Sequence, residues 1–483
     1  MTCPALALML GLGLLSPSAF EPKAVADPIP QDRGLRMKLE RETLVWNQRT
    51  LLGAYDRVGK KDPRWDARAR QALEVMVRSV SHAEPRPAAT EVRAAFKKAV
   101  DAGCDDPLVV FNNVRYNPLA GEAQDRALAA AVAALLKSDY PAVRKATALY
   151  TSAARKASRA KTDLAAANAA TREIDRALEL LAPSFAEDGA GTPLETVWLE
   201  NLRTNAAPIL AHTLGSLTAA NDRIDAALAK VPAAKAVRLI FKGMYLKDHA
   251  WEIRGMGFAD TVSTADFQKF HEWLTSAEKA FQEAWTVNPQ HVWIPSAMVE
   301  VLKGLQSDRA VMEAWFQRAM ALDDRNYSAC SAKLGWLSAR WYGSHEEAVA
   351  FGRACRDTHN VASGIPLLLA SAHLDVYELL PETQKSQYMR SAEVWGDIRG
   401  IYDEHLKAFP DDRFARSRYA CFCWLCGQYT EAAKHFRTLG DNLAADKHFS
   451  RALLEHARQE SYARAGSPSP VPAATKPAAS KNR

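Results

Sequence analysis

The sequence predicts an all-α fold: an α-solenoid of stacked helical hairpins in the C-terminal half, preceded by an irregular N-terminal helical region. Three observations predict it. Phe281, Phe316 and Phe351 recur every 35 residues, each followed three residues later by an alanine: Ala284, Ala319 and Ala354. A fixed period of that length marks hairpins too small to bury their apolar faces alone, which stack to do so. Residues 121 to 182 are very rich in alanine, the best intrinsic helix former. No segment sustains the period-2 alternation of a strand.

Taken in chain order, the first element is an apolar run, Ala5 to Leu15, too short to span a bilayer and suited to the core of a signal peptide. Ala24-Val25-Ala26 offers a small-x-small cleavage site, so residues 1–26 read as a leader and the chain as exported, periplasmic or extracellular. Residues 27–34 read as a linker. No later stretch has the length of a transmembrane helix.

Helical patterning begins at Leu35. Leu44, Leu51, Leu52 and Tyr55 form one stripe, Gly59 and Pro63 interrupt it, and Ala67 to Val80 resumes it. Two further helices are expected over 89–102 and 106–116, with Asp105-Asp106-Pro107 giving the second its N-cap and first-turn proline. The alanine-rich region predicts long antiparallel helices over 122–137 and 141–181, closing a first region at 35–182. Arg144, Lys145, Arg155, Lys156, Arg159 and Lys161 have no acidic neighbour between Pro141 and Thr162. A solvated helix face explains them better than an anion-binding patch. Pro183 to Thr192 reads as the main internal break, followed by helices over 193–205, 208–230 and 233–254. A repeat array is expected over 193–463, and the Pro-, Ala-, Ser- and Lys-rich segment 464–483 as a disordered tail.

The repeats carry more detail. Ala277, Phe281, Ala284 and Pro289 fit the second helix of one hairpin; Phe316, Ala319 and Asp324 repeat the theme; Leu334-Gly335, Gly343, Phe351 and Ala354 make a third. Tyr402 and Pro410 suggest a fourth, stretched by an insertion at 381–391. Tyr419, Ala420, Gly427, Tyr429, Ala432 and Phe436 make the last. Small residues at 420 and 432 let two helices cross closely, and Gly427 permits the turn between them. This pattern over 264–440 resembles tetratricopeptide (TPR) repeats. Trp251 to Val262, Arg340 to Phe351 and Gly53 to Asp66 further resemble a family of exported bacterial proteins of unknown function with TPR-like helix pairs, a resemblance that implies no activity.

By TPR register, Trp336 and Arg340, and in the last hairpin Ser417, Cys421 and Trp424, are expected on the concave side, where an aromatic and an arginine suit peptide recognition. The competing expectation is that a capping helix fills this groove. Six cysteines follow Cys3, too few for a disulfide framework in a chain of 483 residues. Cys330 and Cys355 fall at the same level of antiparallel helices and are placed to pair in an oxidising compartment. Cys421, Cys423 and Cys426 read as small buried hydrophobes rather than metal ligands, because residues two apart on a helix point about 200° apart. Seven of the twelve tryptophans lie between Trp251 and Trp341 and read mostly as packing between repeats. Arg254-Gly255-Met256-Gly257 reads as a flexible link.

His271-Glu272 lacks the second histidine of a metalloprotease helix, and no nucleophile elbow or phosphate-binding loop appears. Asp411-Asp412 and Glu346-Glu347 read as helix-start acids. A net charge of +6 is too weak to argue for nucleic acid. The sequence therefore predicts a scaffold for a partner protein or peptide, without catalysis, cofactor or metal. Its rivals are a helical-toroid enzyme acting on polysaccharide, which needs converging carboxylates, His or Tyr, and a purely structural envelope spacer.

Overall fold

The computed structural model describes residues 27–81, 86–158, 163–255 and 262–466. The expected leader, most of the expected tail, and Arg159, Lys161, Met256 and Gly257 lie outside the described residues. Every regular element among those described is a helix. None of these helices is long and apolar enough to cross a membrane. The chain divides into two compact units. One comprises Ile29–Trp336 with Asn360–Ile365; the other takes Leu337–His359 and the residues from Pro366 onward.

The N-terminal unit begins with α1 (Gly34–Asn47), which runs through a π-helical turn at Gln48–Leu52 into α2 (Gly53–Val58). Then come α3 (Asp66–Val80), α4 (Ala89–Asp101), α5 (Pro107–Tyr116) and α6 (Gly121–Leu136). Asp106 caps α5 as expected, accepting from Leu108 N at 3.0 Å and Val109 N at 3.1 Å, with Pro107 at the first helical position. Where one helix was expected over 141–181, the chain forms α7 (Ala142–Ala157), α8 (Leu164–Glu179) and the start of α9 (Leu181–Asp188). Asp163 supplies the interruption by capping α8 through Ala165 N and Ala166 N. Helix α7 is buried on nearly all sides and packs on both α6 and α8.

The expected break at 183–192 is short: α9 covers its first half and α10 (Thr192–Asn201) follows Gly189, whose φ is 72°. Both helices belong to the N-terminal unit, so the compact units divide instead near residue 336. A second π-helical turn at Leu202–Ala206 leads into α11 (Ala207–Leu214). Gly215, in the left-handed region, and the Ser216 cap then split the helix expected over 208–230, giving α12 (Leu217–Ala229). Next are α13 (Lys235–Arg254), α14 (Thr264–Val287), α15 (Trp293–Gly304), α16 (Arg309–Leu322) and α17 (Tyr327–Leu337). Sequence-adjacent helices α13/α14 and α15/α16 pack together. Phe281 is fully buried against α13 at Gly243, where a Cβ would fall 2.8 Å from the ring. Trp285 and Trp315 meet edge to face at 5.4 Å, joining one pair to the next.

The C-terminal unit contains α18 (His345–Arg356), α19 (Leu368–Leu379), α20 (Glu382–Met389), α21 (Ala392–Ala408), α22 (Arg413–Leu425), α23 (Tyr429–Leu439) and α24 (Arg451–Arg464). Helix α20 is the expected insertion. The core runs from Leu369 and Ile398 through Tyr402, Phe422 and Phe436 to Tyr462. Tyr402 and Tyr419 stack at 4.9 Å. Ala420 and Ala432 are fully buried, and Gly427 ends α22 with φ 74°. Each large side chain buried in this core contributes about 1.5–3 kcal/mol of transfer free energy.

Candidate functional site

The five residues assigned to a concave groove have different surroundings. Trp336 is buried in the N-terminal unit. The other four belong to the C-terminal unit. Arg340 reaches Asp375 at 3.2 Å and Glu378 at 2.7 Å. The Ser417 hydroxyl donates to Arg413 O at 2.8 Å and accepts from Ala444 N at 3.0 Å. Cys421 has no exposed surface, and burial pushes its thiol up to about 12. Trp424 is half-buried, and its indole N–H donates to Glu460 Oε2 at 2.8 Å. Helix α24 packs against α22 and α23. The face of α22 that register assigns to a partner is thus covered by residues 441–464 of the same chain. Trp336, Ser417 and Cys421 present no surface, which leaves Arg340 and Trp424 as the accessible members of the set.

Cys330 and Cys355 are both buried thiols rather than halves of a disulfide. The Cys330 thiol lies 3.7 Å from Met320 Sδ. Cys423 and Cys426 are buried like Cys421, and desolvation raises both thiols, disfavouring the thiolate that a metal or a nucleophilic reaction needs. Asp412 caps α22 and also accepts from His405 at 2.9 Å; Glu346 and Glu347 occupy the first turn of α18, as expected of helix-start acids.

One further polar cluster lies inside the C-terminal unit. His373 is held between Tyr388 Oη at 2.8 Å and Asp397 Oδ2 at 3.2 Å. Asp397 also accepts from Arg353 and Arg356, each at 2.9 Å. Burial raises the Tyr388 phenol, while the hydrogen bonds from His373 and Arg353 outweigh desolvation and hold the Asp397 carboxyl below its usual range. Both imidazole nitrogens and both carboxylate oxygens are engaged, which is the pattern of a satisfied core network.

A hollow of about 630 Å³ lies beside His373 and Tyr388, and the N-terminal unit contains one of about 670 Å³. Its first wall comes from α1 and the π-helical turn that follows. An i→i+5 turn inserts one residue and so changes which side chains face inward; here it brings Asn47, Thr50 and Leu51 inside. The second wall is the first turn of α7, which presents Arg144 and Thr147. The third is the end of α10 and the second π-helical turn, with Glu200, Asn201, Thr204 and Asn205. Leu51, Met76, Leu108 and Phe111 give an apolar floor.

Arg144 is the feature that sets this site apart. Its side chain is buried, with Nη2 donating to Asn47 Oδ1 at 2.7 Å and to Thr50 Oγ1 at 2.5 Å. The guanidinium lies 4.7 Å from the Trp46 ring. Its Nε has no acceptor. Burial pushes its pKa down to about 9, partly offset by Asp188, so it remains a cation at neutral pH. Asp188 itself is held by Arg49 at 2.8 Å and by the Trp46 indole N–H at 3.1 Å. Among the described residues no carboxylate forms an ion pair with Arg144. Elsewhere on the wall Arg36 is matched, binding Asp324 at 2.5 Å and Glu40 at 2.8 Å. Glu200 stands at the rim, exposed, although the surrounding walls desolvate its carboxyl and raise its pKa.

Sequence reasoning noticed Arg144 only as one of six basic residues on an acid-free stretch and read them as a solvated face. Arg155 and Lys156 do find acids from neighbouring helices, Asp125 and Glu173. Arg144 departs from that reading because α7 is central and its first turn points inward. The signal was present, in that Arg144 sits between Val143 and Ala146 on a helix with a strong apolar face, but only the fold shows that the missing acid is missing in three dimensions. The sequence matches no protein-family model, and no curated protein resembles it significantly.

Proposed function

We propose that the protein is a non-catalytic binding scaffold, an exported α-solenoid of TPR-like hairpins that holds a partner protein or peptide, and that the partner engages the cavity of the N-terminal unit. The observation that carries this reading is the cavity wall: amides, hydroxyls and a buried guanidinium around an apolar floor, enclosing space that the described residues leave unfilled. Such a combination, a mostly apolar concavity with a few converging polar groups, is the usual form of a ligand site. The buried positions of Phe281, Phe316 and Phe351 support the stacked-hairpin element of the proposal. The apolar run ahead of Ala24-Val25-Ala26 supports export.

Capture of partners from the exported fraction tests the reading. Thr147→Trp obstructs the cavity, and Arg340→Ala with Trp424→Ala removes the accessible groove residues. The expected result is loss of captured proteins with Thr147→Trp alone, in a variant whose circular dichroism and melting match the wild type. Loss only with the Arg340/Trp424 double variant returns the site to the C-terminal hairpins. An unchanged set in both overturns the scaffold proposal.

A further inference from the structure

The cavity wall holds a buried cation, Arg144, with which no described carboxylate forms an ion pair, Asp188 acting on it only from a distance. Removing a guanidinium from water without an anion is unfavourable, and folded proteins rarely leave one so. Two hydrogen bonds from Nη2 to neutral acceptors solvate Arg144 in part, while its Nε has none. On the same wall Asn112 is almost wholly buried, and its Oδ1 lacks a donor; its Nδ2 is fixed on Leu108 O at 2.9 Å, which sets the orientation of the amide. A cation without an ion pair and an amide whose oxygen lacks a donor therefore belong to residues that line one hollow. Arg115, also on the wall, adds to the positive potential at Arg144.

With both Nη2 hydrogens committed to Asn47 and Thr50, Nη1 is the nitrogen of Arg144 left to meet a guest, and a carboxylate oxygen makes the strongest single charge-assisted hydrogen bond with it. The acids on the wall, Glu40, Glu200 and Asp323, oppose any anionic guest, and a phosphate dianion about twice as strongly as a singly charged one. Resting on the scaffold reading above, we propose that this cavity binds a singly charged carboxylate ligand, its head group on Arg144 and its apolar body on Leu51, Met76, Leu108 and Phe111. The carboxylate could belong to a free organic acid or to the C-terminus of a peptide.

Isothermal titration calorimetry of the full chain separates these sources. The probes are octanoate against octanamide, and the N-acetylated tripeptide Ala-Ala-Leu as free acid against its C-terminal amide. The expected result is that the acid of at least one pair binds roughly ten- to a hundred-fold tighter than its amide, and the pair that does so names the source. Arg144→Gln is expected to abolish the difference. Thr147→Glu, which gives Arg144 a carboxylate one helical turn away on its own helix, is expected to abolish acid binding while Arg144 stays in place, and it decides the matter if Arg144→Gln does not fold. Equal binding of acids and amides, or an acid preference that survives both variants, overturns the carboxylate assignment and leaves the cavity as a site. Absence of heat from all four probes also overturns it, and the capture experiment with Thr147→Trp then judges the scaffold reading by itself.

Discussion

The two units differ in how the chain treats a largely buried arginine. In the C-terminal unit, the last hairpin is covered by the chain's own return segment: Ser417 takes the Ala444 N–H, Trp424 takes Glu460, and Arg418 takes Asp446. His373 and His405 each have an acid, at 3.2 and 2.9 Å. In the N-terminal unit no described carboxylate pairs with Arg144, while a buried imidazole nitrogen without a partner occurs in both units, Nδ1 of His291 and Nδ1 of His405. Similar helix pairs thus give one arginine matched by a carboxylate, Arg418 on Asp446, and one, Arg144, that is not, and each unit keeps a hollow, of about 630 and 670 Å³. The lesson is that helical pairing fixes where helices lie, while the segments between and after them decide whether a surface remains for a partner.

The comparison breaks most visibly if the C-terminal core is not tightly packed. Phe436→Ala is expected to destabilise that unit by about 3–5 kcal/mol, read from chemical denaturation, because a fully buried ring leaves a cavity that its neighbours cannot fill. The N-terminal unit is expected to lose stability in acid. Burial holds the His291 pKa down to about 4 against 6.5 in the unfolded chain. The unfolded state therefore binds the proton more tightly, so stability is full above pH 6.5 and falls by about 3 kcal/mol as pH drops to 4. His291→Gln should flatten that part of the stability–pH curve, and an unchanged curve would show that His291 is not its cause. Ser417→Ala strands the Ala444 N–H and is expected to cost about 1–2 kcal/mol in the same denaturation assay. The smallest change is expected at Arg144→Met: losing two hydrogen bonds offsets the relief of an unpaired buried charge, leaving stability within about 1 kcal/mol of the wild type. A loss as large as that of Phe436→Ala would make Arg144 a structural residue and erase the difference between the units.

Much of the architecture was legible. The 35-residue recurrence pointed to the buried aromatics of α14, α16 and α18, Asp106 announced a cap, and Gly427 announced a turn, because each is dictated by local chemistry. Helix ends within alanine-rich stretches were not legible: alanine favours helix everywhere, so α7 and α8 are separated by what caps them, not by a change in propensity. The groove assignment read each hairpin by register alone. Register places Ser417 and Cys421 on one face, but what covers that face is α24, from a segment with no periodic partner in the repeat pattern. Arg144 was visible as a residue and illegible as a site, since the absence of a counter-charge is a property of four converging segments.

Helix α24 has a consequence beyond covering a face. A stack of like hairpins has no intrinsic length, because each added pair exposes the same apolar step that recruits the next. Leu454, Ala457 and Tyr462 give their apolar side to α22 and α23, while Arg451, Arg458 and Arg464 lie on the remaining surface with acidic neighbours of their own. The helix thereby replaces the apolar side of α22 and α23 with a charged, solvated surface, which has less to gain from taking up a further helix.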